Sequence, residues 1–272
     1  MATVDEIAHQ AGRTKSSLKQ ALSNALRAWW FALADHHKSQ VDLFVREAVP
    51  TVMAYEQVMA ESTWAYLRDQ YDVLGEPFDA RLQTSRVTGA VIRNGVPPAE
   101  VYARPFVDVW TSLADGLDMT QALEHGATRL DQLSDIDMEL THDWTVRDIV
   151  GQTRLAGYRR VLNGATNCAL CIVASTQRYR RGDLKKIHPN CNCTVAPIIT
   201  DQDVHQVLDD TLLAQVHAAV AVKFGVSDAA ARKIDYRKIL VTREHGEYGP
   251  TLTYSTDKFT GPSGLSQRHR RA

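Results

Sequence analysis

Apolar residues recur every three or four positions through the first half of the chain, the repeat of amphipathic helices. Leu18, Leu22, Ala25, Leu26, Trp29, Trp30 and Leu33 form one stripe. Pro50 is expected to open a second segment, carried by Val52, Tyr55, Val58, Met59, Tyr66, Leu67 and Tyr71 and broken by GEPF at 75–78. A third helix is predicted over 82–93, stopped by Asn94-Gly95, a pair suited to the left-handed turn after a helix. Pro97 and Pro98 fit the first turn of the next helix. It runs to Ala114, with a kink expected at Arg104-Pro105. Beyond Asp115-Gly116 the longest pattern starts near Met119 and runs through Leu123, Leu130, Leu133, Ile136, Leu140, Val146, Ile149 and Val150. It is carried, with at most a break, to Val161-Leu162 and ends at Asn163-Gly164.

The pattern then changes. Residues 168–193 have few periodic apolar positions and are expected to be irregular. TVAPII (194–199) reads as a short strand, and Val204, Val207, Leu208, Leu212, Val216 and Val220 as a helix ending at Phe224-Gly225. KILVTREHGEYGPTLTYS (238–255) sets two β-rich runs around a turn-rich hexapeptide, the signature of a hairpin. The fold class that follows is α+β, mostly α. An elongated helical region at 1–160 precedes a small α+β module at 161–262, which has a Cys/His-clasped loop and a C-terminal β-hairpin. A flexible basic tail occupies 263–272.

Composition adds little: 44% of the 272 residues are hydrophobic and 23% charged, as in ordinary globular proteins. MATVDEIAHQ lacks the layout of a secretory signal, and no stretch approaches the roughly 20 apolar residues of a membrane span. The expectation is a protein made in a cytoplasm, where thiols stay reduced, with no membrane partner. Charge is more informative. Between 151 and 199 eight Lys and Arg face one acid, Asp183, a local +7 in a chain whose total is −1. Positive charge is concentrated where the cysteines are.

All four cysteines fall in CALCIVASTQRYRRGDLKKIHPNCNC, residues 168–193. A C-x2-C pair lets two thiolates turn onto one tetrahedral ion, and a second donor group a dozen or more residues later closes the site. Structural zinc can organise a segment too poor in apolar residues to fold alone. Five candidates, Cys168, Cys171, His188, Cys191 and Cys193, compete for four places. The first three are expected ligands, and the spacing does not choose between Cys191 and Cys193 for the fourth. Two disulfides, a redox-active C-x2-C pair and simple buried thiols are the alternatives. Arg178, Arg180, Arg181, Lys185 and Lys186 lie inside the same loop, preceded by Arg154, Arg159 and Arg160. Such a patch can neutralise phosphates without reading sequence, or balance acidic helices of this chain or of a partner.

NCALC followed by IHPNCNC resembles the cysteine-histidine signature of the MuF-like minor head proteins of tailed phages, in which C-x2-C precedes H-P-x-C-x-C. TVRDIVGQTR, STQRYRRGD, IDYRKILVTREHGE and KFTGP extend the resemblance over about 101–262, toward the MuF-like proteins of actinobacterial phages. Asn192 departs from the basic residue often found between the last two cysteines of that family. The resemblance implies a low-copy virion protein of the capsid interior, near the portal, acting in head morphogenesis and capsid assembly. It also implies contacts with portal, scaffold or major capsid protein, and a part in DNA packaging or delivery.

Proteins encoded beside portal and scaffold are also labelled capsid maturation proteases, so catalytic arrangements matter. Ser175, His188, His142 and Asp143 are the available serine-protease residues. No G-x-S-x-G elbow or H-E-x-x-H helix is present, since GPSGL (261–265) has the wrong spacing. Thiolates committed to zinc are poor nucleophiles. His36-His37 and Asp135 with Asp137 read as solvated helix faces, and Glu244 to Glu247 as a polar hairpin turn. Trp29, Trp30 and Trp64 read as core or partner-binding surface. A structural role is therefore expected, with a maturation protease and a sequence-independent DNA-binding module as competing readings.

Overall fold

A computed structural model describes residues 2–33, 35–154, 157–163, 169–179, 193–198, 211–214, 218, 240–245 and 249–254. The fold is mostly helical, with a small antiparallel sheet after the helices, as the sequence predicts. Helix α1, Val4–Ala32, starts at a capping box in which the Thr3 hydroxyl accepts from Glu6 N while Glu6 accepts from Thr3 N. Helix α2, Lys38–Val73, has 36 residues and is about 54 Å long at 1.5 Å per residue. Pro50 lies inside it rather than at its start. Pro50 is on the solvent side, and the periodic Phe44 and Ala48 upstream are buried. The carbonyl it leaves unpaired, that of Arg46, is on an exposed residue.

The segment expected as a third α-helix is two 3-10 turns, Thr84–Arg86 and Gly89–Arg93. Gly89, at φ +66°, interrupts the helical run. Asn94 at φ 53° and Gly95 at φ 89° end it, as the pair predicts. Helix α3, Pro98–Ala114, has Pro98 in its first turn and continues through Pro105. Helix α4, Met119–Gln152, begins at a second capping box between Asp118 and Gln121.

Helices α1 to α4 share one core of which Leu22, Leu26, Trp30, Phe44, Phe106 and Leu130 are part. Trp30 is at its centre. Its indole N–H donates to Leu123 O at 3.2 Å, and its ring meets Phe106 edge-on at 4.8 Å. Gly126 lets α4 approach there. A Cβ on it would lie 2.5 Å from Trp30 Cζ2, 2.7 Å from Val109 Cγ2 and 3.1 Å from the Pro105 carbonyl. Gly126→Ala is therefore expected to lower the urea midpoint, because overpacking of about 1–3 kcal/mol outweighs a propensity gain of about 1 kcal/mol. Gly151→Ala, where a Cβ meets nothing within 4 Å, is expected to leave the midpoint unchanged or raise it.

A buried polar network ties the 3-10 segment to the helices. Arg93 Nε donates to Asp137 Oδ1 at 2.5 Å and its Nη2 to Leu133 O at 3.1 Å. The Tyr102 hydroxyl donates to Asp137 Oδ2 at 2.8 Å, and Gly89 N to Glu56 Oε2 at 2.6 Å. Asp137 is thus no solvated helix face: it is almost wholly buried because the Arg93 cation needs it.

The long helical pattern stops at Thr153 instead of reaching Val161-Leu162. Residues 157–161 are strand β1, Gly157–Val161, the middle strand of a three-stranded antiparallel sheet. Helix α5, Ala169–Ser175, and strand β2, Arg178–Tyr179, come from the stretch expected to be irregular. Strand β3, Thr194–Ile198, forms where TVAPII predicts it, and Pro197 is tolerated because β3 is an edge. A second core cluster, with Ala8, Tyr66, Ile149, Tyr158, Val161 and Val195, packs this sheet directly on the helices. Strands β4, Leu240–His245, and β5, Gly249–Tyr254, pair antiparallel as the predicted hairpin. Residues 211–214 of the helix expected at 204–220 are helical; its remaining residues, save 218, and the tail at 263–272 lie outside the described residues.

Candidate functional site at the sheet–helix junction

Of the five expected metal ligands, Cys171 and Cys193 are described; Cys168, His188 and Cys191 lie outside the described residues. Cys171 sits on α5 and Cys193 immediately before β3, and both are buried. They come from opposite ends of the cysteine segment, and each contributes to the electrostatics of Tyr179 on β2. Burial pushes the Tyr179 hydroxyl up to about 12; the Arg160 cation pulls it down, and the two cysteines add to the rise. Tyr179 stacks on Tyr158 with centroids 5.6 Å apart and 4° between the rings.

Cys193 is held at two atoms. Its Sγ accepts from Arg160 Nη1 at 3.1 Å, and its carbonyl accepts from Lys15 Nζ at 2.9 Å. Arg160 is buried, with its guanidinium 5.8 Å from the Tyr179 centroid. This corrects the expectation that Arg160 belongs to a phosphate-facing patch: as part of the middle strand it points into the core. Arg159, on the other face, pairs with Asp5 of α1. Arg154 is exposed and Arg178 half-buried, opposite Arg159 in the strand register. Arg180, Arg181, Lys185 and Lys186 lie outside the described residues. Among the described residues no three His, Cys, Asp or Glu side chains surround a common point.

Beneath Cys193 lies a charged cluster that the sequence pattern alone does not predict. Lys15 Nζ meets Glu139 Oε2 at 2.9 Å, and Lys19 Nζ meets Glu139 Oε1 at 2.8 Å and Asp135 Oδ1 at 2.7 Å. Burial pushes Glu139 upward, but Lys15 and Lys19 together offset it and hold the carboxyl below its usual range. Asp135 is raised, chiefly by burial, and is no solvated helix face. His142, one turn along α4, is buried and held down to about 3, first by burial and then by the Lys15 cation. One signal in the chain points to the cluster: Lys15 falls on the buried stripe with Ala8, Gly12, Leu22 and Leu26. A charge at that position calls for a buried partner.

The N-terminal half of α1 seats the sheet. Asn163, just after β1, donates to Thr194 Oγ1 at 2.8 Å, and its Oδ1 lies 3.0 Å from His9 Nδ1. It occupies the space that Gly12 leaves open, where a Cβ would come within 2.4 Å of Asn163 Cγ. The Tyr66 hydroxyl of α2 donates to the Val195 carbonyl.

Of the serine-protease candidates Ser175, His142 and Asp143 are described, and His188 lies outside the described residues. The Ser175 hydroxyl donates to Ile172 O at 2.7 Å within its own helix. His142 is bonded to Thr63, not to a serine. His36, expected on a solvated face, is half-buried with its ring 4.5 Å from that of Trp30, and burial lowers its pKa. Trp30 is core, Trp29 is exposed, and half-buried Trp64 donates to Ala80 O at 2.9 Å. No described helix is long and apolar enough to cross a membrane. No protein-family model, curated protein or solved structure matches the chain.

Proposed function

We propose that this chain is a minor head protein of a tailed phage, of the MuF-like kind, with a structural rather than catalytic role inside the capsid near the portal. The observation that carries this reading is the use of Cys171 and Cys193. Both are buried, Cys193 is held by Arg160 at its Sγ and by Lys15 of α1 at its carbonyl, and the Ser175 hydroxyl donates within its own helix turn. The residues that could react are built into the junction between sheet and helices. The motif resemblance supplies the setting.

In this reading zinc completes the site, with Cys171 and Cys193 among its donors. Of Cys191 and Cys193, the second is favoured by its bond to Arg160. The long helices carry the contacts to portal, scaffold or major capsid protein, and exposed Val107 and Trp110 on α3 are candidates for such a surface. The loop arginines and lysines would meet DNA phosphates during packaging or delivery.

The test is made on assembled particles. Mass spectrometry of purified virions is expected to find the chain at a few copies per particle, and detergent-treated heads to release it with the portal. Its absence from virions would overturn the assignment. Co-expression with scaffold and major capsid protein covers the protease reading: cleavage abolished by Ser175→Ala in a folded protein would replace the structural role with an enzymatic one.

A further inference from the structure

Asparagine before glycine readily loses its side-chain amide, because the unhindered glycine nitrogen can attack the asparagine Cγ. The chain holds two such pairs, Asn94-Gly95 and Asn163-Gly164. Asn94 and Gly95 are exposed, and a Cβ built on Gly95 would meet nothing within 4 Å, so water reaches the pair. The folded backbone blocks the attack all the same. Gly95 N–H donates to Ala90 O at 2.7 Å, which commits the nucleophile. Asn94, at φ 53° and ψ 38°, sets its Cβ on the far side of the Cα–C bond from that nitrogen. The residues just before it hold this conformation in place. Ile92 clusters with Ile136 and Leu140, and Arg93 bonds Asp137 and the Leu133 carbonyl on α4.

We propose that Asn94-Gly95 is a self-modification site latched by the Arg93–Asp137 pair, closed while the 3-10 segment is seated on α4 and reactive when it lifts. In the lifted segment the Gly95 nitrogen bonds to Asn94 Cγ, the Cγ–Nδ2 bond breaks, and ammonia leaves carrying the former Gly95 amide proton. Water then opens the five-membered imide. Entry at Cγ gives aspartate. Entry at the backbone carbonyl carbon of residue 94 gives isoaspartate, whose main chain runs through the side-chain carboxyl. The extra methylene displaces Gly95 N and Val96 N from Ala90 O and Arg93 O, the bonds that end the segment. Each opening that reacts is thereby recorded in a covalent bond and impedes reseating. This site rests on the segment's own contacts and does not depend on the head-protein reading.

The test is peptide mapping by mass spectrometry of the full-length protein aged at pH 8, in buffer and in urea, with aspartate and isoaspartate resolved at both pairs. Asn163 is the control for global unfolding, since its amide is held by Thr194 and His9 between the sheet and α1. In wild type, Asn94 is expected to react about tenfold or more slowly in buffer than in urea, the protection of a locally closed segment. Arg93→Met with Asp137→Asn removes the charged latch. In that double variant, folded by circular dichroism, Asn94 is expected to react about tenfold or more faster than in wild type, with Asn163 unchanged. Arg86→Met, whose ion pair is exposed, is expected to leave both rates alone. Wild-type protein carrying isoaspartate at 94 is expected to show a lower urea midpoint than fresh protein. Equal rates at Asn94 in buffer and urea, a folded double variant no faster than wild type or faster at both pairs, or an unchanged midpoint would overturn the proposal.

Discussion

Arg93→Met is expected to lower the unfolding free energy by about 3–5 kcal/mol, the cost of stranding a buried carboxylate without its cation. The side chain is about 2% exposed, and its guanidinium serves both Asp137 and the Leu133 carbonyl. Removing it leaves the Asp137 carboxylate buried with the Tyr102 hydroxyl as its remaining described donor. It also frees the 3-10 segment from α4. Adding Asp137→Asn to Arg93→Met is expected to recover most of the loss, because a neutral amide still accepts from Tyr102. Arg86→Met gives the contrast. Arg86 pairs with Asp148 at 2.9 Å but is 59% exposed, and its loss is expected to cost about 1 kcal/mol or less. Urea titrations of the four proteins at pH 6 measure all of this. Equal costs for Arg93→Met and Arg86→Met would show that the buried pair does not organise the segment.

The second large effect is a stability profile with two limbs. Burial, with a contribution from Asp137, pushes the Glu56 carboxyl from 4.5 up to about 8, against the Gly89 N–H and Arg93, which lower it. Its folded value is raised, so its contribution is complete below about pH 4.5 and drains as pH rises to about 8. His142 is depressed from 6.5 to about 3, so its contribution is complete above 6.5 and is lost as pH falls toward 3. Between about 4.5 and 6.5 the two slopes oppose one another and stability is nearly flat. Above 6.5, of these two groups Glu56 alone still changes, and at about 1.4 kcal/mol per pH unit its loss by pH 8 is about 2 kcal/mol. Glu56→Gln keeps an acceptor for Gly89 N–H and is expected to remove the alkaline limb. It leaves stability rising from pH 4.5 to 6.5 through His142 alone. A wild-type protein equally stable at pH 6.5 and 8.5, or a Glu56→Gln profile that follows wild type, would contradict this.

The helices are legible in the sequence because their apolar stripes are long and their caps explicit: Asn94-Gly95, Pro97-Pro98 and Asp115-Gly116 fall where elements stop or start. The failures share a cause. Pro50 looks like a boundary locally, yet Phe44 and Ala48 continue the stripe upstream and their burial outweighs one lost hydrogen bond. Residues 157–161 look like helix because GYRRV has no clear alternation; pairing on both edges makes it a strand, and that pairing is set by residues 178–179 and 194–198. Asp135 and Asp137 look solvated because their partners, Lys19 and Arg93, lie on elements more than 40 residues away. At the candidate site the cysteines announce themselves by type and spacing. Of the two residues that hold Cys193, Lys15 is marked by its place on the buried stripe of α1, whereas Arg160 is not, because GYRRV does not show which way the strand turns it.

Cys193 is tied to α1 through Lys15, and we propose that the cysteine segment, with Cys171 among its donors, is a metal clasp. Elemental analysis of the reduced, purified full-length protein tests it most directly. One zinc per chain is expected, with release of the metal by chelator lowering Tm and with Cys193→Ser losing the metal while α1–α4 keep their helical signal. Protein free of stoichiometric metal, with Tm unchanged in chelator, would contradict it.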